Sequence, residues 1–428
     1  MKNRIVCIAA AAALLAALTF GGCKNNTNPD PGDPDGEYRG TFASVKDHPG
    51  LYMYSRNGYA FSTGGTLALY APFETEEERE AAMSLGDEVD KLLAELESTL
   101  SVSVEGSDIY KFNTAYPGDR VEITEHTYNV LQYALDVYEE TDGAYNAGVY
   151  YSVDLYGFAP RADGETRPYD RESPATELPA EKYVSAFKEL ATAFGDLKLE
   201  QNDGKYYAIK PQKTVTVEGD STVYSLSIDL GGIGKGYACD LIDEMVDEAG
   251  YEYGYYNLGS SSWQINGSAV SEDGKWNLTS RDPRGGILGG SYISRRAANT
   301  AVSTSGDYEQ YYTVDDVRYC HIINPATGSP IQTGIMTASL NGGTAAEADA
   351  RTTAICCMGL ERAVEYMNSE EVKAEGLAIT FAYAAADGKY YVITNRPQEV
   401  NILSQNYTPG NTVDADGNVV LIADLQQG

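Results

Sequence analysis

Histidine is scarce in this chain: three in 428 residues, at His48, His126 and His321. They are too few and too scattered to build a histidine-rich metal site. Positive charge is also scarce, with 31 Lys and Arg against 63 Asp and Glu. The resulting net charge of −32 argues against nucleic acid and against an anionic membrane surface as electrostatic partners. Six cysteines give no disulfide framework. Cys7 lies in an N-terminal apolar run and Cys23 just after it, which leaves Cys239, Cys320, Cys356 and Cys357. Adjacent Cys356 and Cys357 cannot readily bridge to each other, and apolar or aromatic residues flank all four, so they read as buried small hydrophobes. No internal repeat is visible.

The N-terminus has the pattern of a targeting segment. Lys2 and Arg4 precede an apolar run from Ile5 to Phe20, followed by Gly21, Gly22 and Cys23. The run is short for a membrane span. Small residues directly before a cysteine resemble the bacterial lipoprotein signal, with Phe20 larger than that signal prefers. The expectation is a signal peptide over 1–22 and a lipidated Cys23, placing the protein outside the cytoplasm, anchored to the bacterial cell membrane. Residues 24–37, KNNTNPDPGDPDGE, cannot bury anything and read as an acidic tether, taken here to extend over 23–50. One folded domain is expected over 51–428, starting near Tyr52.

Within that domain, Ala60 to Tyr70 reads as a strand with a Gly-Gly irregularity. Thr75 and Glu78 form a capping box for a helix that buries Val89, Leu92, Leu93, Leu96 and Leu100, with Gly86 a weak point in its middle. Further helices are expected at 125–140, 180–194 and 345–367, and a polar loop at 161–178. Short β-like runs follow at 255–258, 262–265, 276–280 and 292–293, and two strands over 377–393 are joined at Asp387 and Gly388. Helices and strands mix without regular βαβ alternation, so the fold class is α+β, with mixed or antiparallel sheets and packed helices.

The stretch around which the rest is arranged is SLSIDLGGIGKGYACDLIDEM, Ser225 to Met245. Leu226, Ile228 and Leu230 alternate with polar residues, as in a half-buried strand, and a helix follows the glycines. Strand, glycine turn and helix start make an anion cradle, with Lys235 adding positive charge, unless the glycines simply form a turn joining two packed elements. The glycine spacing is neither that of the dinucleotide fingerprint nor that of the nucleotide-triphosphate loop. In EADARTTA, Asp349 and Thr353 lie four apart and share a helix face. Both offer oxygens suited to Mg²⁺, which keeps waters and borrows phosphate oxygens from its substrate. Asp349 is expected to line a surface cleft, with a partly buried aspartate capped by its own helix as the alternative. His48 and His126 read as ordinary surface residues. His321, which as a lone histidine could also be structural, stands where DVRYC gives way to INPATGSP, a strand-to-loop junction of the kind that presents catalytic side chains.

Taken in order, FSTGGT, SDIYKFN, TDGAYNAGVYYSVDLYGF, IDLGGIGKGYACD, VSTSGDYEQYY, HIINPATGSPI and EADARTTAICCMG resemble the ApbE family, the FAD:protein FMN transferases. The resemblance implies that Asp349 and Thr353 bind Mg²⁺ through side-chain oxygens and Gly232 through its carbonyl. It implies FAD contacts from Asp229, Lys235, Ala144, Tyr145, Asn146 and Ile323, and a catalytic role for His321. The implied reaction moves FMN from FAD to a threonine or serine hydroxyl of an exported protein and releases AMP. Water as acceptor would make an FAD pyrophosphatase instead, and loss of turnover would leave a flavin-binding lipoprotein. The chain departs from the family pattern at Asn146, where aspartate is usual, and at Ser260, where a second glycine is usual. GGT lacks a preceding methionine, and Ser103 falls where some members place a tyrosine. These departures concern the flavin end more than the phosphate end.

Overall fold

The computed structural model describes residues 39–159, 177–285 and 289–425. The expected signal segment, Cys23, the expected tether up to residue 38 and nearly all of the 161–178 loop lie outside the described residues. The main scaffold is a ten-stranded sheet. Its spatial order is Thr41–Ser44, Tyr52–Ala60, Thr63–Ala71, Gly254–Leu258, Ser262–Ile265, Thr300–Gly306, Ile335–Asn341, Ala378–Ala384, Tyr390–Thr394 and Tyr407–Pro409. Neighbours are antiparallel except the last pair, which is parallel. The helices are α1 (Glu76–Leu100), α2 (Asp108–Thr114), α3 (Glu125–Glu140), α4 (Tyr150–Leu155), α5 (Glu181–Ala191), α6 (Gly234–Glu248), α7 (Ala345–Met358), α8 (Leu360–Met367) and α9 (Glu370–Ala374). This is the expected α+β class.

Helices cover one face of the sheet. Leu67, Leu69, Leu340 and Phe381 of the strands share a core with Leu93 of α1, Leu131 of α3, Ile242 of α6 and Ile355 of α7. Each such side chain contributes roughly 1.5–3 kcal/mol on burial. A three-stranded sheet, Trp276–Arg281, Ser291–Ala297 and Val400–Ile402, covers the other face and packs Tyr292 and Ile293 against Met336, Ala382 and Val392. Helix α7 is buried on nearly every side, with Ala345, Ala348, Ala350, Ala354, Ile355 and Cys356 all enclosed. All four cysteines outside the N-terminus are free and buried, and burial pushes the Cys320 thiol up to about 12.

The capping box of α1 is present, with the Glu78 N–H donating to Thr75 Oγ1 at 3.2 Å and the Thr75 N–H donating to Glu78 Oε2 at 2.9 Å. Gly86 is not a mere weak point. A Cβ there would overlap the Tyr54 hydroxyl and crowd Arg56, so its absence lets the helix settle on the strand Tyr52–Ala60. The two strands over 378–394 and their join at Asp387 and Gly388 are as expected.

Several expectations are corrected. The folded part begins earlier than Tyr52, because Thr41–Ser44, placed in the tether, pairs with Tyr52–Ser55. The expected strand from Ala60 to Tyr70 begins only at Thr63, because Ala60 ends the preceding strand of a hairpin. Phe61 and Ser62, at φ 50° and 59°, turn the chain before Thr63–Ala71. Two positive φ values suit the twist of a tight hairpin, but the usual Asn-Gly signal is missing. The helix expected over 345–367 breaks at Gly359, whose φ of 79° ends α7 before α8 starts. Helix α5 stops at Ala191 and continues only as a 3₁₀ turn, Thr192–Asp196.

The expected strand Ser225–Leu230 also fails. Only Val223–Ser225 pairs, with Thr214–Thr216. Leu226, Ser227 and Ile228 are all buried in succession, so burial does not follow the apolar–polar alternation there. Its backbone is bonded to side chain and loop: Asn113 Oδ1 accepts from the Ile228 N–H at 2.7 Å, and Asn113 Nδ2 donates to the Ile228 carbonyl at 2.9 Å.

Candidate active site

The extended segment ends at Asp229, whose N–H donates to the Ala147 carbonyl at 2.8 Å. That bond brings the loop carrying Ala144, Tyr145 and Asn146 beside the glycine turn. The turn, Gly231 to Ile233, leads directly into α6. Much of the expected anion cradle is taken up by contacts within the chain. The Gly231 N–H donates to Asp229 Oδ1 at 2.7 Å, and the Ile233 and Gly234 N–H groups donate to the Leu230 carbonyl. The Gly236 N–H goes to Asp349 Oδ2 at 3.2 Å. The N–H groups of Gly231, Ile233, Gly234 and Gly236 are thus committed within the chain, two of them to carboxylates.

The centre is therefore acidic. Asp349, on α7, is 2% exposed. It is a buried side chain rather than the surface-cleft carboxylate expected from its helix position. Ser303 Oγ donates to its Oδ1 at 3.1 Å, and Lys235 Nζ lies 3.5 Å from its Oδ2. Lys235 also donates to the Gly231 carbonyl at 3.1 Å. One turn along α7, Thr353 Oγ1 donates to the Asp349 carbonyl at 3.2 Å and lies 3.2 Å from Ser305 Oγ. A Cβ on Gly232 would sit 3.3 Å from Thr353 Oγ1 and 3.4 Å from Tyr145 Cε2, so these three residues close on one point. Burial raises the Asp229 carboxyl pKa, against the pull of the Gly231 N–H and Lys235.

Tyr145 is 3% exposed, and its hydroxyl has no hydrogen-bond partner among the described residues. Burial raises its pKa well above the ordinary value, and the charges of Asp349 and Asp229 push in the same direction. A neutral O–H donor thus stands buried and unused beside two carboxylates. Ala144 is buried on the same loop. Asn146 is also buried, but its side chain is committed: Oδ1 accepts from the Gly148 N–H at 2.7 Å and Nδ2 donates to the Ala191 carbonyl at 3.0 Å. The second bond needs an N–H donor, which an ionised aspartate lacks.

His321 follows the strand Val317–Cys320. Its N–H donates to the Gln310 carbonyl at 3.0 Å, and Phe158 meets its ring edge-on with centroids 6.4 Å apart. The ring keeps part of its surface open, yet protein packed around it pushes the pKa down to about 4. The nearby Lys235 charge adds to that fall, while the Gln310 carbonyl and Asp307 oppose it. His321 is therefore neutral at ordinary pH. Ile323, two residues on, is buried against Tyr156, Phe158 and Tyr312. His126 is not a simple surface residue, since its Nδ1 lies 3.0 Å from the Tyr237 hydroxyl of α6.

Phe61 was not among the expected site residues. Its ring lies 3.8 Å from where a Gly234 Cβ would be, so the strained hairpin turn reaches the start of α6. FSTGGT was visible in the sequence, but its turn was not. Ser260 has φ 57°, the left-handed conformation for which glycine is the easier residue. Among the described residues, no group of three or more His, Cys, Asp or Glu side chains could hold a metal. The central site instead offers Asp229 and Asp349 with hydroxyls around them.

A family model described as the ApbE family matches residues 63–377. The chain belongs to the ApbE family. Residues 63–377 of the ApbE match include every expected site residue from Ala144 to Thr353. Among curated relatives, the FAD:protein FMN transferase of Vibrio cholerae is 25% identical over 300 residues, covering 68% of this chain and 78% of that protein. The transferase of Treponema pallidum is 27% identical over 309 residues, covering 70% and 77%. The solved structure of the flavin transferase ApbE from Vibrio cholerae superposes with a TM-score of 0.62 at 22% identity, covering 80% of this chain and 97% of that one. The Thermotoga maritima ApbE protein gives 0.61 at 23% identity, covering 79% and 96%. These superpositions establish an ApbE fold for the chain.

Proposed function

We propose that this protein transfers FMN from FAD to a threonine or serine hydroxyl of an exported protein, releasing AMP. The observation that carries the reading is the convergence of Asp349, Thr353, Gly232 and the unpartnered Tyr145 hydroxyl beside Lys235. The donor set fits Mg²⁺, because carboxylate, hydroxyl and carbonyl oxygens are hard ligands, few in number, and leave room for phosphate oxygens and water. Asp349 and Thr353 would hold the ion through their side chains and Gly232 through its carbonyl. Bound there, Mg²⁺ would neutralise charge on the diphosphate.

The chain's own residues supply the rest. Lys235 is placed to meet a phosphate oxygen, and Asp229, Ala144, Tyr145, Asn146 and Ile323 are the proposed FAD contacts. His321, neutral above about pH 4, has a ring nitrogen free to take the acceptor's hydroxyl proton. The acceptor oxygen then bonds to the FMN phosphorus as the bridging P–O bond breaks, and AMP leaves with the electron pair of that bond. The 25–27% identical relatives named FAD:protein FMN transferase support this reading.

The proposal extends to location. The basic start, apolar run and Gly21-Gly22-Cys23 support export and a lipidated Cys23, so that exported flavoproteins are the partners. Incubation with FAD, Mg²⁺ and candidate acceptor proteins tests the chemistry. AMP release with covalent flavin fluorescence on the acceptor is the expected result. AMP without label would mean that water is the acceptor, and neither product would mean a flavin binder.

A further inference from the structure

The first turn of a helix has backbone N–H groups with no partner inside the helix, and α7 finds side-chain partners for its own. Thr344 caps it, accepting from the Glu347 N–H at 3.2 Å, and the Ala348 N–H bonds to the Thr344 carbonyl at 3.0 Å. The Ala345 and Ala346 N–H groups remain. Both donate to one carboxylate from another helix: Asp240 of α6 accepts them at 2.6 Å on Oδ1 and 2.8 Å on Oδ2. The two helices meet so closely that a Cβ on Gly236 would overlap the Ala345 carbonyl. One turn further along α7 stands Asp349, which α6 holds again through the Gly236 N–H and Lys235.

We infer that Asp240 is a positioning residue for the Asp349–Thr353 site. Its carboxylate fixes the start of α7 against α6 and so sets the axial register at which Asp349 meets Gly236 and Lys235. Two bonds from one rigid carboxylate determine both the height and the rotation of α7, which a single bond would not. Asp240 is held at some cost. Burial pushes its carboxyl up to about 7, Asp243 and Glu347 add to the rise, and the two N–H groups of α7 oppose it. Tyr133 of α3 also lies within reach of its charge. The functional reading above gives the site its metal, and this inference rests on that reading.

The test is the Mg²⁺ concentration that half-saturates FAD binding to the full chain, followed by flavin fluorescence, beside the unfolding midpoint of the metal-free protein. Asp240→Asn keeps one carbonyl acceptor and loses the second. It is expected to raise the Mg²⁺ requirement roughly ten-fold, the scale of outer-shell losses at metal sites. Transfer at saturating Mg²⁺ should largely recover. Asp243→Asn is the control, lying on the same helix and bonded instead to Gln264 at 2.8 Å and Asn266 at 3.4 Å. It should leave the requirement unchanged. Ala345→Pro removes the other half of one bond at the first helical position, where proline is tolerated and the preceding Thr344 is already extended. It should shift the requirement in the same direction, and it carries the test if Asp240→Asn does not fold. An unchanged Mg²⁺ requirement in folded Asp240→Asn or Ala345→Pro, or an equal shift in Asp243→Asn, would overturn the positioning role. Lack of Mg²⁺-dependent FAD binding by the unaltered protein would overturn the functional reading as well.

Discussion

Three side chains at the centre invite substitutions whose outcomes differ in kind. Asp349 is buried and bonded to Ser303 and the Gly236 N–H, so truncation to alanine would leave those donors and Lys235 unpaired. Asp349→Asn is the cleaner probe. It keeps the volume and one acceptor, and it is expected to abolish Mg²⁺-dependent AMP release with little loss of thermal stability. Tyr145→Phe should do the reverse in the metal-free protein. An unpartnered buried hydroxyl costs about 1–3 kcal/mol, so its removal should leave stability against denaturant unchanged or higher. A clear loss of stability would show that the hydroxyl is bonded. For His321 the sign is fixed by burial. A pKa near 4 keeps the ring neutral and competent as a base down to about pH 5, so the transfer rate should show no break near 6.5 and fall only as pH approaches 4. In stability the same shift works against the fold: between 6.5 and about 4 the unfolded chain binds a proton the folded ring refuses, so this contribution declines as pH drops. His321→Asn should still bind FAD while losing transfer.

At the scale of elements, the site is built where regular structure stops. The segment before the glycine turn looks like a strand because its apolar residues alternate, but Asn113 and the Ala147 carbonyl occupy its backbone groups. Alternation tells which residues are apolar, not whether a neighbouring strand is available. The same limit hid the hairpin at Phe61 and Ser62, whose positive φ values come from residues that carry no turn signal. Ser260 provides a test of such strain. It shares a tight turn with Gly259 at φ 64°, and its carbonyl accepts from Trp263 Nε1 at 3.0 Å, a backbone bond that substitution preserves. Ser260→Gly is expected to stabilise the protein by roughly 1 kcal/mol, measured by denaturant unfolding, because a left-handed residue with a Cβ carries a cost of that order. Capping was the most legible feature at this scale. Thr75 with Glu78 marked the start of α1 correctly because a capping box involves only residues three apart.

For the whole molecule, the chain carries 63 acidic residues against 31 basic ones, and the centre of the site itself contains two carboxylates, Asp349 buried and Asp229 half-buried. A diphosphate approaching it would meet repulsion that Lys235 offsets only in part, which is the electrostatic case for a divalent cation arriving with the substrate. The proposed location has its own test. Cys23→Ser should release the protein from the membrane fraction without reducing activity in solution, and intact-mass measurement of the membrane-bound form should find a lipid-modified chain beginning at Cys23. An unmodified chain retaining Met1 in the cytosol would overturn the location and the exported partners.

The sequence by itself determined what depends on near neighbours or on residue type: the α+β mixture, the caps, the free cysteines and the pairing of Asp349 with Thr353 on one helix face. The ordered motifs also sufficed to place the chain among its relatives. Tertiary structure decided what depends on contacts between distant segments. It spent the N–H groups of Gly231, Ile233, Gly234 and Gly236 on Asp229, Leu230 and Asp349, bringing two carboxylates into the expected anion cradle. It left the Tyr145 hydroxyl buried without a partner among the described residues, lowered the His321 pKa by packing protein around its ring, and set Asp240 across 105 residues of sequence at the start of α7. Each of these follows from which groups are brought within bonding distance or removed from water, and neither is written in the local order of residues.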